Sequence, residues 1–169
     1  CLHPFIRNTV GCMEFGGCFL NKRLNRNNDG GTTRRTTDIF QLATTVLFQN
    51  PVQNFALAPN NLKDVSPVCM DYMKTVPTTW DETCFIDGYP GKYVVLARRH
   101  GNTWYLAAVN AGKEIVKLKL DLDMFAGKTV SLYKDDKKGE PQLVTLKVKE
   151  SGKVQLEILP QGGVVLVNN

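Results

Sequence analysis

Residues 91–110 read Gly91-Lys92-Tyr93-Val94-Val95-Leu96-Ala97-Arg98-Arg99-His100-Gly101-Asn102-Thr103-Trp104-Tyr105-Leu106-Ala107-Ala108-Val109-Asn110. Two runs rich in β-branched and aromatic residues flank the polar break His100-Gly101-Asn102, which is the pattern of a β-hairpin. In the first run Tyr93, Val95 and Ala97 share one face, and Val94, Leu96 and Arg98 share the other. In the second, Trp104, Leu106 and Ala108 alternate with Tyr105, Ala107 and Val109. Both faces are largely apolar, so the hairpin belongs at the centre of a sheet, between two layers.

Beyond the hairpin the sequence alternates strand and turn. Candidate strands cover 115–120, 129–133, 143–149, 153–158 and 164–167, with 79–85 preceding the hairpin. Turn chemistry separates them at Asn110-Ala111-Gly112, Ala126-Gly127, 135–139, Ser151-Gly152 and 160–163. About eight short strands at regular spacing predict an antiparallel β-sandwich over residues 77–169.

Upstream the pattern changes. Ile39, Leu42, Ala43, Val46 and Leu47 fall at helical spacing, with Asp38 as the expected N-cap and Gln41 as its capping-box partner. Pro51 disfavours a helical residue before it, so this helix should end near Asn50. A second short helix is expected over 67–74, with Val68, Tyr72 and Met73 inward. The opening, 2–10, suits either a short helix or an extended run. Gly11-Cys12-Met13-Glu14-Phe15 suits a short buried strand ended by Gly16-Gly17. Residues 21–35 form a long polar loop containing Asn27-Asn28-Asp29-Gly30-Gly31, which lacks the Gly-Lys-Ser/Thr ending of a phosphate-binding loop. One strand, one loop and two helices cannot bury a core by themselves, so residues 1–76 need a partner structure.

The 169 residues carry a net charge of +5 and no apolar run long enough to span a bilayer, which argues against a membrane span. The chain begins at Cys1 without Met, as a processed or partial product would, and a lipid-anchored lipoprotein also begins with Cys. Lys22, Arg23, Arg26, Arg34 and Arg35 cluster in the polar loop, but no aromatic residues interleave with them, so nucleic acid is not the expected partner. Five cysteines, an odd number without a C-x-x-C pair, read as buried free thiols and not as a zinc site. Whether Cys12 and Cys18 bridge depends on geometry.

Serine chemistry has no Gly-x-Ser-x-Gly elbow to support it, and neither His3 nor His100 is placed to activate a cysteine. Carboxylates remain. Glu14 closes the short apolar strand, where barrel enzymes carry functional groups. Asp81 and Glu82, beside Trp80, read as surface charge at a domain junction. No convincing carboxylate pair for glycoside hydrolysis is present, and Trp80, Trp104 and Tyr105 read as core before they read as sugar-stacking platforms.

Three stretches carry a family resemblance. The run Pro4-Phe5-Ile6-Arg7-Asn8-Thr9-Val10-Gly11-Cys12-Met13-Glu14-Phe15 resembles the segment entering the last barrel strand of glycoside hydrolase family 97. Phe40-Gln41-Leu42-Ala43, then Phe48-Gln49-Asn50-Pro51-Val52-Gln53 and Ala58-Pro59-Asn60-Asn61, resemble its last barrel helix and exit. Pro77-Thr78-Thr79-Trp80-Asp81-Glu82-Thr83, Gly88 to Arg99 and Asn102-Thr103-Trp104-Tyr105 resemble the start of its C-terminal β-domain.

The resemblance implies a mainly β chain: the last strand and helices of a (β/α)8 barrel over 1–76, then an antiparallel sandwich over 77–169. It implies the C-terminal portion of a bacterial α-glucosidase or α-galactosidase, periplasmic or secreted, acting on oligosaccharides. The catalytic carboxylates and the ligands of a calcium cofactor would lie upstream, and the remainder of the barrel would be a partner of this chain. The fragment alone should be inactive. Where many members carry Asp and Thr-Pro, this sequence has Glu14 and Gly16-Gly17. Glu14, Arg34 and Arg35 are then the expected substrate-lining residues, because a loop after the last strand lies on the substrate face of a barrel. The rival reading is a non-catalytic sandwich that binds carbohydrate or braces a partner.

Overall fold

The computed structural model describes residues 1–14, 18, 20–23, 30–57 and 59–168. Phe15, Gly16-Gly17, Arg26, Asn27-Asn28-Asp29 and Ala58, singled out above, lie outside the described residues.

The hairpin forms as its pattern predicts. Strands β1 (Glu82–Tyr89), β2 (Tyr93–His100) and β3 (Thr103–Asn110) run antiparallel, and β2 pairs β3 from His100 opposite Thr103 to Tyr93 opposite Asn110. The connection is the two residues Gly101-Asn102, and Gly101 takes a φ of 57° that a two-residue hairpin favours. Five more strands follow: β4 (Val116–Asp121), β5 (Thr129–Asp135), β6 (Pro141–Lys147), β7 (Lys153–Ile158) and β8 (Gly163–Asn168). They build a six-stranded sheet of order β1-β2-β3-β8-β5-β6 and a two-stranded sheet, β4-β7. The hairpin therefore sits inside the large sheet, with β8 inserted between β3 and β5.

Each face of the large sheet has its own cover. Val95, Ala97, Leu106, Ala108, Val164 and Leu166 pack against Leu118, Leu120, Val154, Leu156 and Ile158 of the small sheet, closed by Leu122 and Phe125. The opposite face presents Val94, Leu96, Tyr105, Ala107, Val109, Val165 and Val167 to a helical layer. That layer is α1 (Asp38–Leu47) with α2 (Pro67–Thr75) beside it, contributing Ile39, Leu42, Ala43, Val46, Leu47, Cys69 and Tyr72. The apolar stripe of α1 is thus covered by the sandwich itself.

Several details differ from the sequence reading. The N-cap of α1 is Thr37, whose hydroxyl accepts from the Phe40 N–H at 3.1 Å, because Asp38 is drawn into an ion pair with Arg34. Gln41 reaches Thr36 Oγ1 instead of closing a capping box on Asp38. The helix ends at Leu47, with Phe48 already extended. Gly11 to Glu14 is not a buried strand: Cys12 and Glu14 are exposed, and the segment's recorded backbone bond is Met13 N–H to Gln49 O at 2.9 Å. A strand needs a continuous ladder on its hydrogen-bonding edges, and among the described residues the contact with Gln49 does not extend into one.

Candidate functional site

The three residues expected to line a pocket fall into two different situations. Glu14 is exposed, and no hydrogen bond or ion pair joins it to Arg34 or Arg35. Arg35 is also exposed. Arg34 is not: its side chain is 8% accessible and its guanidinium is fully engaged. It pairs with Asp38, donates to Thr36 O, and reaches Asn21 O at 3.2 Å and Leu20 O at 3.4 Å. Its own backbone N–H donates to Lys22 O at 2.8 Å, closing the polar loop at its base. The burial of Asp38 pushes its carboxyl upward against the pull of the Arg34 charge.

Beside this junction the N-terminus of α1 meets the sheet. Asp135 Oδ2, on β5, accepts from the Thr37 hydroxyl at 2.8 Å and from the Gly163 N–H at 3.0 Å. Its Oδ1 is buried without a partner. Burial raises the Asp135 carboxyl from 3.8 to about 6, against the lowering effect of those donors. Gly163 is required here by close approach. A Cβ on it would lie 2.7 Å from Phe40 Cα and 2.8 Å from the Ile39 carbonyl group.

The remaining candidates resolve into structural roles. Asp81 and Glu82 both face Arg99, at 3.7 Å and 3.2 Å, and Asp81 Oδ2 accepts from the Gly101 N–H. His100 sits exposed by the hairpin tip with Nδ1 2.9 Å from Thr79 O. All five cysteines are free, so Cys12 and Cys18 do not bridge. Burial pushes the Cys18 thiol up to about 12 and raises that of Cys69 as well, which makes both poor nucleophiles. Among the described residues no group of three or more His, Cys, Asp or Glu could hold a metal ion. The donor set that calcium wants, several carboxylates with carbonyl oxygens, is not assembled among those residues. No helix among the described residues is long and apolar enough to cross a membrane.

The sequence reading missed one constellation. A cleft of about 220 Å³ opens between the end of α1 and the start of the sheet, lined by Cys12, Asn50, Thr79, Trp80 and Arg98 among others. The signal was present: Arg98 alternates in register with Val94 and Leu96, placing a cation on an apolar face.

The comparisons bear on the whole arrangement. Residues 79–167 match the family described as "Glycosyl-hydrolase 97 C-terminal, oligomerisation". A solved β-arabinopyranosidase is 85% identical over 99% of this chain, which covers 27% of that protein, with a TM-score of 0.96. A family 97 enzyme from Pseudoalteromonas sp. strain K8, solved with acarbose, is 27% identical with a TM-score of 0.81. There the chain is covered over 99% of its length and accounts for 28% of the enzyme. The retaining α-galactosidase of Bacteroides thetaiotaomicron is 27% identical over 96% of this chain and 26% of its own length. The chain spans about a quarter of the length of these relatives.

Proposed function

Because the chain belongs to glycoside hydrolase family 97, we propose that it is the C-terminal portion of a glycosidase whose catalytic carboxylates lie in polypeptide upstream of Cys1. The observation that carries the substrate class is the 85% identity to a β-arabinopyranosidase over nearly the entire chain. In the L series a β-arabinopyranosyl ring has the configuration of an α-galactosyl ring without its exocyclic hydroxymethyl group. A β-arabinopyranoside and an α-galactoside are therefore neighbouring substrates, and we rank both ahead of α-glucosides. Glycoside hydrolysis needs two carboxyl groups flanking the scissile bond. Here Asp81 and Glu82 both face Arg99, and Asp135 is enclosed between α1 and β8. Exposed Glu14 and Arg35 stay available to border the sugar pocket, whereas Arg34 serves the fold. The calcium ligands and a periplasmic or secreted location belong to the same proposal and rest on the family resemblance.

The experiment compares the 169-residue chain with the full-length enzyme on nitrophenyl β-L-arabinopyranoside, α-D-galactopyranoside and α-D-glucopyranoside. The full-length enzyme should turn over the first two much faster than the third, and the chain alone should turn over none. Preference for the glucoside, or clear turnover by the chain alone, would overturn this reading.

A second reading concerns the oligomerisation that the family description names. Strand β1 is an open edge with Phe85 and Tyr89 about 60% exposed, and the opening turn sets Phe5 against Phe85 with Leu2 and Ile6 also exposed. An apolar, unpaired edge is a template for contact with another surface. Phe85→Lys should weaken self-association in sedimentation experiments if this edge is the contact, and unchanged association would exclude it.

A further inference from the structure

The cleft between α1 and the sheet holds a buried cation with no carboxylate partner among the described residues. Arg98 is 3% exposed. Its Nη1 donates to Phe48 O at 3.1 Å, at the C-terminal end of α1, where the helix dipole offsets part of the charge. Its Nε is buried without a partner, and the Trp80 indole N–H, lining the same cleft, is likewise buried and unpartnered. The Trp80 ring lies 5.9 Å from the guanidinium carbon. The acids next along the chain, Asp81 and Glu82, are engaged by Arg99. Burial lowers the Arg98 pKa to about 10 against a smaller opposing charge effect from Cys12, and no carboxylate acts to raise it. A buried charge and two orphan donors on one cleft are costly unless an acceptor enters. A guanidinium fork with one edge open matches a carboxylate best.

We propose that this cleft is a receptor for a carboxylate, held by the open edge of Arg98 with the Trp80 indole N–H as a further donor. The carboxylate has two possible sources: a free small acid, or an Asp or Glu side chain from polypeptide outside these 169 residues. The proposal does not depend on which sugar the parent enzyme cleaves.

The test follows the Arg98 Nε–H resonance in ¹⁵N-edited spectra, identified by its loss in Arg98→Lys, during titration with sodium acetate at constant ionic strength against sodium chloride. In the 169-residue chain, acetate should give a saturable shift that chloride does not. Trp80→Phe keeps the aromatic ring but removes the donor, and should weaken acetate at least tenfold while leaving the Arg98 resonance observable. In the full-length enzyme, a resonance already shifted and insensitive to acetate supports an internal Asp or Glu. A resonance that still responds supports a free acid. No acetate response in the chain, an equal response to chloride, or a full-length resonance neither shifted nor responsive would overturn the proposal.

Discussion

At the scale of single residues, burial decides what a charged side chain does. Arg34 and Arg35 are adjacent and chemically identical, yet Arg34 is enclosed by carbonyls and Asp38 while Arg35 faces water. Removing one member of a buried ion pair leaves the other uncompensated, which costs about 3–5 kcal/mol. Arg34→Met should therefore lower the urea-unfolding free energy by that order, whereas Arg35→Met should change it by less than about 0.5 kcal/mol. Equal effects would show that Arg34 does not hold the loop. The sequence did contain a hint, an acid four residues after Arg34, but in a loop that spacing carries no meaning until the helix start is known. Asp135 gives a second test. Its folded carboxyl, raised to about 6, keeps a proton between 3.8 and 6 where the unfolded chain has released it. The folded state binds more protons in that window, so this group's contribution to stability falls as pH rises through it. Asp135→Asn should remove that fall, and the difference between variant and parent should grow in the variant's favour from pH 4 to pH 6. Denaturation curves showing a flat difference would reject the burial account.

At the scale of elements, what could be read was the local pattern, and what could not was the partner. The 91–110 hairpin and the strand at 153–158 carry their own periodicity and turns, and both stand in the structure as read. The segment 11–14 has strand-like composition but, among the described residues, no paired strand beside it, and composition alone cannot supply one. Helix α1 was legible as an amphipathic helix, but not the surface that receives it. That surface depends on Gly163, which in sequence looks like one more turn glycine and in the fold opens β8. A methyl group there would meet backbone atoms of Ile39 and Phe40 closer than 3 Å, and backbone cannot rotate aside. Gly163→Ala should cost about 1–3 kcal/mol by forcing α1 off the sheet. Amide exchange should show the loss of protection concentrated in α1 and β8. A fully stable Gly163→Ala protein would mean that the helix is not seated as described. The cleft at Arg98 escaped a sequence reading for the same reason: its walls come from separate segments spread from Cys12 through Gln49–Pro51 and Thr78–Thr83 to Arg98.

At the scale of the whole molecule, the family match begins at residue 79, close to where the large sheet begins, yet the packing does not stop there. One core, between the large sheet and β4-β7, draws on residues after 77 alone. The other joins Val94, Leu96, Tyr105, Ala107, Val109, Val165 and Val167 to α1 and α2. A chain of residues 78–169 should therefore retain its strands and unfold cooperatively, since the first core is complete. It would also leave seven apolar side chains of the sheet open to water. Exposed apolar surface of that kind drives association, so this piece should bind hydrophobic dyes, self-associate, and melt below the intact chain. Residues 1–77 alone carry the one-sided face of α1 without the sheet that covers it, and should show no cooperative transition. Circular dichroism, dye binding and sedimentation of the two pieces beside the intact chain check this together. A monomeric 78–169 piece as stable as the intact chain would show that the helical layer is dispensable to the sandwich.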